Sequence, residues 1–143
     1  MRDTVTIDQA LEAFVEDQRQ RLSARTMRGY DDVVELLRHS LNGYGPNALG
    51  QAEHRRWEEA FDSGDEEAFC HLFGPERIVG HLSEFLGYFM VRKVVAGQEL
   101  LRSAGTVTKR LAEWHISDPS LGLFTQALAV APWHAYALGG RLA

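Results

Sequence analysis

The chain has 143 residues, of which 45% are hydrophobic and 24% charged, a mixture typical of one globular domain and unlike a disordered or collagen-like protein. Its formal net charge of -5 argues against a highly cationic nucleic-acid-binding protein, provided that the charge is evenly spread. The single cysteine, Cys70, cannot form an internal disulfide, and no secretory signal opens the sequence, so we expect a cytoplasmic protein.

The charge is concentrated in the middle of the sequence. Residues 42–78 hold eight acidic residues against three arginines, a net charge of -5 that equals the excess of the whole chain. This segment opens with the glycine-rich stretch Asn42–Gly50, which is the clearest break in the sequence. We therefore expect a single helical domain over residues 1–143, made of a first helical hairpin at 1–41, an acidic insertion at 42–78, a second helical hairpin at 79–116 and an apolar C-terminal tail at 117–143.

The first forty residues predict two helices with a tight joint. Thr6 and Gln9 have the spacing of a capping box, and the apolar residues that follow recur every three or four positions to about Arg21. Ser23 offers a second N-cap, and the helix after it is predicted to stop at Asn42-Gly43.

The acidic insertion predicts two short helices, from Gln51 to Phe61 and from Asp65 to Phe73. An apolar helix follows, and we expect it to end at Ala96-Gly97. Its stripe consists of Leu82, Phe85, Leu86, Phe89, Met90 and Val94.

The last predicted helix starts at Ser103, after a short turn over Gln98–Arg102. The sequence Ser103-Ala104-Gly105-Thr106-Val107 repeats the pattern of Ser23-Ala24-Arg25-Thr26-Met27, so both hairpins are predicted to share a joint of similar design. No stretch shows the alternation typical of a strand. The predicted fold class is therefore all-α, a compact helical bundle of two helical hairpins with an inserted acidic helical segment.

Several sequence segments together resemble one protein family. Thr6–Phe14 and Leu22–Tyr30 are similar to the first two helices of the N-terminal core-binding (SAM-like) domain of tyrosine recombinases, the phage integrase group, and Phe85–Val94 with Thr106–Trp114 is similar to its second helical pair. The resemblance implies an all-α domain that binds one side of duplex DNA while a separate catalytic domain closes on the other side. The residues after Trp114 are too few for that second domain, so we expect no strand cleavage and no enzymatic activity.

The resemblance and the two joints together give a set of candidate DNA-binding residues. Phosphates favour basic side chains, hydroxyls and the free amides of helix starts. The basic candidates are Arg19, Arg21, Arg25 and Arg28 at the first joint, and Arg92, Lys93, Arg102, Lys109 and Arg110 at the second. The hydroxyl candidates are Ser23, Thr26, Ser103 and Thr106. The alternative is a solvated surface with ordinary helix pairs, such as Asp17 with Arg21.

The sequence gives little indication of a metal site, a cofactor site or a catalytic site. The histidines and Cys70 lack the paired spacing of a zinc site, and the acidic cluster lacks a calcium-loop pattern, so we expect no metal and no cofactor. No phosphate loop or catalytic motif indicates a small-molecule substrate.

The C-terminal tail is apolar and carries no charged residue from 119 to 140. Pro132, Gln126 and several glycines divide it into pieces shorter than the roughly 20 apolar residues of a membrane span, so no membrane partner is expected. We expect the tail to pack either on its own helical bundle or on a second copy of the chain. The second arrangement would give a homodimer.

Two functions therefore remain open: a non-catalytic module that binds duplex DNA, and a protein-interaction or dimerisation module that has lost DNA binding. Carboxylates interleaved with the arginines would favour the second.

Overall fold

The computed structural model describes residues 5–93 and 97–117, and every regular element in these ranges is helical. The predicted all-α helical bundle is confirmed. The elements are α1 (Ile7–Arg19), α2 (Ala24–Tyr44), a 3₁₀ turn (Gly45–Ala48), α3 (Gln51–Asp62), α4 (Ala68–Leu72), α5 (Glu76–Glu84), a π-helix (Phe85–Lys93) and α6 (Gln98–Ser117). The predicted tail lies outside the described residues from Asp118 onward, as does Ala96 of the predicted helix end at Ala96-Gly97.

Both helices of the first hairpin begin as predicted, because their start signals are local, whereas α1 ends at Arg19, two residues before the predicted end. The hydroxyl oxygen of Thr6 accepts a hydrogen bond from the Gln9 amide at 3.1 Å, and Oε1 of Gln9 accepts one from the Thr6 amide at 3.0 Å. The α2 helix begins in the same manner after Ser23, whose hydroxyl oxygen accepts from the Thr26 amide at 3.2 Å. Both predicted N-caps are confirmed.

The C-terminal end of α2 differs from the prediction. The helix does not stop at Asn42-Gly43 but runs to Tyr44 and tightens into the 3₁₀ turn. The Asn42 side chain is used elsewhere, since its Oδ1 accepts a hydrogen bond from the Cys70 amide at 3.0 Å. The break falls at Gly45, where a Cβ atom would lie 2.5 Å from the Phe69 ring. A tertiary contact therefore decides where the glycine is required.

One hydrophobic core is shared by the two hairpins and α4. The central helix α2 packs against α1, α4, α6 and the π-helix. The largest fully buried side chains come from all of these elements and from α5: Phe14, Phe69, Phe85, Ile7, Leu11, Met27, Leu37, Leu41, Ile78, Leu82, Met90 and Leu111. Because α2 contacts both α1 and α6, it brings the two predicted joints to the same part of the molecule.

The predicted apolar helix consists of two parts with different hydrogen bonding. The α-helical part ends at Glu84, and the π-helix continues from Phe85 to Lys93. Five members of the predicted stripe are confirmed, since Leu82, Phe85, Leu86, Phe89 and Met90 are all buried, and the sixth, Val94, lies outside the described residues. A period-based prediction gives the buried face but does not distinguish the wider i→i+5 bonding of a π-helix.

The prediction that the last helix starts at Ser103 is wrong. It starts at Gln98, because Leu100 extends the apolar row of Ala104, Val107 and Leu111 by one turn, and Leu100 packs against the core. Ser103 is therefore an interior helical residue, and its likeness to the Ser23 cap does not reflect a shared local structure.

The acidic insertion forms α3 as predicted from Gln51, but α4 (Ala68–Leu72) is shorter than the predicted Asp65–Phe73. The chain turns before α4, where Oδ1 of Asp65 accepts a hydrogen bond from the Glu67 amide at 3.0 Å. No residue of α3 is buried, although Trp57 packs its half-buried ring against the core. Phe61 is 41% exposed on the same helix. The acidic side chains Glu58, Glu59, Asp62, Glu66 and Glu67 are exposed.

Candidate nucleic-acid interface

A groove of about 600 Å³ runs between the N-terminal parts of α2 and α6. Five of the predicted DNA-binding residues line it: Arg25 and Thr26 from α2, and Arg102, Ser103 and Thr106 from α6. The remaining lining residues were not among the sequence candidates, and they are Gly29, Tyr30, Glu99, Leu100 and Val107. The fold thus joins residues that are far apart in the sequence at one surface.

The α2 side of the groove is the start of a helix. Arg25 and Thr26 lie in the first turn after the Ser23 cap, and both are exposed. The cap satisfies the Thr26 amide, whereas the amides of Ala24 and Arg25 precede the first intrahelical bond, which Met27 donates to the Ser23 carbonyl. This end of α2 therefore presents free N–H donors and the positive end of a helix dipole.

Four predicted basic residues form no salt bridge within the described part of the chain: Arg25, Arg28, Arg102 and Lys109. The three arginines are exposed, and Lys109 is half-exposed. Arg25 and Arg28 are three residues apart on α2, while Arg102 and Lys109 are seven apart on α6, so each pair shares a helix face. We call these four residues the basic quartet.

Two other predicted arginines are paired with carboxylates. Nη2 of Arg19 lies 3.3 Å from Oδ1 of Asp31, and Nε of Arg21 lies 3.2 Å from Oδ2 of Asp17. The pair of Asp17 with Arg21 is the alternative that the sequence left open. Exposed pairs of this kind contribute little to stability, but they reduce the positive charge available to an anion.

Among the other described candidates, Arg28, Lys109, Arg110 and Ser23 do not line the groove. Arg110 approaches Glu113, with Nε 4.0 Å from Oε1. Arg92 and Lys93 belong to the π-helix, and their side chains lie outside the part of the chain that the structure describes. Ser23 is occupied as the α2 cap, where its hydroxyl also donates to Oγ1 of Thr26 at 3.1 Å.

Tyr30 is one of the five groove residues that the sequence did not indicate. It is 6% exposed and its ring stacks on Phe14 at a centroid distance of 6.2 Å, so it belongs to the apolar stripe of α2. Burial raises the pKa of its hydroxyl, an effect that nearby Arg110 opposes and Glu113 reinforces. Periodicity predicted the burial of Tyr30 but gave no sign that its edge borders a groove.

A second polar cluster lies in the interior, where Nε2 of His81 is 2.6 Å from the hydroxyl oxygen of Ser40. Nδ1 of His81 is 3.7 Å from Oε1 of Glu84, so the three residues follow the order of a serine, a histidine and an acid. Ser40 is completely buried, however, and a nucleophile must be reached by its substrate. Of these three residues, His81 and Glu84 border the adjacent cavity of about 490 Å³, and Ser40 does not. The arrangement is an internal link between α2 and α5.

Cys70 and the other potential metal ligands do not converge. Within the described residues, no group of three or more histidine, cysteine or acidic side chains could hold a metal ion. Burial raises the pKa of the Cys70 thiol to about 12, which keeps the sulfur protonated and unreactive.

Comparisons with protein-family models, with curated proteins and with solved structures found no match to this chain. The resemblance to recombinase core-binding domains therefore rests only on the four sequence segments between Thr6 and Trp114 that carry it. In the described part of the chain, no helix combines the length and hydropathy needed to cross a bilayer.

Proposed function

We propose that the chain is a non-catalytic module that binds duplex DNA through the phosphate backbone, with the basic quartet as its main contacts. The observation that carries the proposal is the position of Arg25 and Arg102, which border one groove and form no salt bridge with a described residue. Unpaired arginines on one surface are available to phosphates without first giving up an internal partner.

The negative total charge is compatible with this proposal because of where the carboxylates lie. The excess of acid belongs to residues 42–78, and α3 is not among the elements that form the groove. No acidic side chain of residues 42–78 lines the groove, so the net charge of -5 does not describe the charge that a phosphate would meet there.

The test is the affinity for a labelled duplex, measured by fluorescence anisotropy across a series of salt concentrations. Four phosphate contacts predict a slope of about -3.6 for log K against log salt concentration. Replacing two of them in the double variant Arg25→Gln, Arg102→Gln should weaken binding at low salt and make the slope shallower by about 1.8.

The matched control is the double variant Arg19→Gln, Arg21→Gln. It removes the same charge, but from arginines that already face Asp31 and Asp17. We expect it to weaken binding much less than the groove variant. Absence of binding by the unchanged protein at low salt, or equal losses in the two double variants, would refute the proposed interface.

A protein-interaction module is the second candidate, and the interleaved carboxylates favour it. Asp31, Asp17 and Glu113 lie beside predicted DNA-binding arginines, and Glu99 lines the groove itself. Dimerisation through the tail is the specific form of this candidate. Light scattering of the full chain and of a chain ending at Asp118 tests it: a dimer that is lost on truncation supports it, and two monomers refute it.

A further inference from the structure

We propose that the cavity beside α5 binds the edge of an uncharged nucleobase, with Nδ1 of His81 donating to an acceptor on the base and the Glu84 carboxylate accepting from the neighbouring N–H. The inference goes beyond the proposed function, because the described residues that line this cavity are all different from those that line the groove between α2 and α6. The ligand is a free base or nucleoside.

His81 supplies the observation that points to a ligand. It is 6% exposed, and its Nε2 is bonded to the buried hydroxyl of Ser40 at 2.6 Å. Nδ1 has no hydrogen-bond partner among the described residues, since Oε1 of Glu84 is 3.7 Å away. The sealed side-chain atoms without a partner in the described ranges are Oε1 of Gln18 and Nε1 of Trp57, so Nδ1 keeps one open side. A buried polar atom of this kind normally finds a partner.

The open side of Nδ1 faces the cavity. The two ring nitrogens point to different sides of the imidazole, and Nε2 is turned to Ser40, which does not line the cavity. Glu84, whose carboxylate lies on the Nδ1 side, does line it. The cavity volume of about 490 Å³ is within the range of small-molecule sites.

The polar groups at this point form a donor beside an acceptor. Burial lowers the pKa of His81 to about 4, so the ring is neutral at pH 7 and carries one proton. The nearby carboxylate of Glu84 favours that proton on Nδ1, and Nε2 then accepts from Ser40. A complementary ligand has an acceptor directly beside an N–H. The Watson–Crick edge of a nucleobase has this pattern.

The rest of the cavity suits a flat ring. Tyr44 and Phe69 contribute aromatic side chains to its wall, and bases stack on such surfaces. Gly80 lies on α5 between Glu76 and Glu84, four residues from each, so its position is on the helix face that lines the cavity. A Cβ atom at Gly80 would meet nothing within 4 Å, which leaves room for a ligand against the helix.

The charges of the lining exclude an anionic ligand. Glu76 and Glu84 both border the cavity. Arg77 borders it too, but its Nη2 lies 2.7 Å from Oε1 of Glu53, so its charge is already paired. A phosphate group on the ligand would therefore meet net negative charge. This selects a base or nucleoside over a nucleotide or a nucleic-acid strand.

The test uses the full-length chain, labelled with ¹⁵N, and uridine as the probe, because its ring N–H lies between two carbonyl groups. We expect uridine to shift the ring Nδ1 signal of His81 in a saturable manner. 3-Methyluridine, which lacks the N–H, should bind about tenfold more weakly, since it cannot donate to the carboxylate. Uridine monophosphate should also bind several-fold more weakly. No saturable shift at millimolar uridine, or equal affinity for the three compounds, would overturn the site.

Two pairs of variants at exposed or open positions locate the ligand without replacing His81. Glu84→Gln keeps the shape of the side chain and should lower uridine affinity about tenfold, whereas Glu59→Gln, on exposed α3, should leave it unchanged.

Gly80→Leu should abolish uridine binding by filling the cavity. Gly29→Leu is its matched control, because Gly29 is also helical, meets nothing within 4 Å and does not line this cavity. If Gly80→Leu binds uridine as tightly as the unchanged protein, or if Glu84→Gln and Glu59→Gln behave alike, the ligand lies elsewhere and the inference is wrong.

Discussion

The hydroxyl oxygen of Ser40 lies 2.6 Å from Nε2 of His81 in the interior, and this hydrogen bond joins α2 to α5. Glu84, 3.7 Å from Nδ1, favours the tautomer that carries its proton on Nδ1, so that Nε2 accepts from Ser40. Arg77 and Glu76 line the cavity beside the ring. Burial lowers the pKa of His81 to about 4, because the charged imidazolium is poorly solvated there.

The first prediction concerns stability against pH. The unfolded chain binds a proton at His81 below about pH 6.5, whereas the folded chain resists protonation until about pH 4. This contribution to folding is therefore complete above pH 6.5 and decreases as the pH falls to 4, by about 3 kcal/mol in total. Urea unfolding at pH 7 and pH 5 measures the change, which should be smaller in His81→Gln.

His39→Gln is the control for that experiment, since the His39 side chain is 69% exposed. It should keep the pH dependence of the unchanged protein. His71 acts in the opposite direction, because its hydrogen bond with Asp65 raises its pKa, so its contribution is lost as the pH rises. Both partners are exposed to solvent, which keeps that effect small. The interpretation of His81 is wrong if His81→Gln shows the same pH dependence as the unchanged protein.

The second prediction tests where α6 begins. Ser23→Ala should lower the free energy of unfolding by about 1 kcal/mol, because it removes the N-cap of α2. Ser103→Ala should cost far less, since Ser103 lies inside a helix that starts at Gln98. Urea unfolding of the two variants gives both values. Equal losses would mean that Ser103 is a cap after all.

The third prediction compares two glycines at the end of α2. Gly45→Ala should destabilise the fold by roughly 1–3 kcal/mol, because the new methyl group would lie 2.5 Å from the Phe69 ring. Gly43→Ala should stabilise it by about 0.5–1 kcal/mol, since it meets no atom within 4 Å and favours the helix. Thermal unfolding of both variants tests the contact, and opposite signs are the expected result.

The fourth prediction concerns the reactivity of Cys70. The thiol is fully buried, and its pKa of about 12 leaves almost no thiolate at neutral pH. The folded protein should therefore react with a thiol-specific disulfide reagent orders of magnitude more slowly than the urea-unfolded chain. Reaction at similar rates in both states would contradict the buried position.

The sequence predicted the features that depend on neighbouring residues. The Thr6–Gln9 box and the Ser23 cap were both found because each is complete within four residues. Ser103 carries a similar local pattern, but Leu100, which is partly buried against the core, extends the start of α6 back to Gln98. Local capping preference is weaker than the burial of a large side chain, and only the packed structure shows which of them decides a boundary.

In the candidate site, too, the sequence predicts single residues, whereas their arrangement depends on tertiary packing. Sequence reasoning selected Arg25 and Arg102 separately, at two joints, but their placement at one groove depends on the packing of α2 on α6. In the sequence, Tyr30 belongs to the same helical pattern of apolar residues as Met27, Val33 and Val34, so nothing distinguished it from ordinary core residues. Which edge of a stripe borders a groove is a property of the tertiary structure, and no period in the sequence records it.

Because no residue of α3 is buried, this helix should open at a lower free-energy cost than the other described helices, which all contain buried residues. Its amides are protected mainly by helical hydrogen bonds at the surface, by the half-buried Trp57 ring and by the pair of Glu53 with Arg77 at 2.7 Å. Hydrogen exchange in α3 can therefore proceed through a local opening while α2 stays closed. Four carboxylates and two arginines, a net charge of -2, are thus carried by a helix that can open and re-form while the core stays folded.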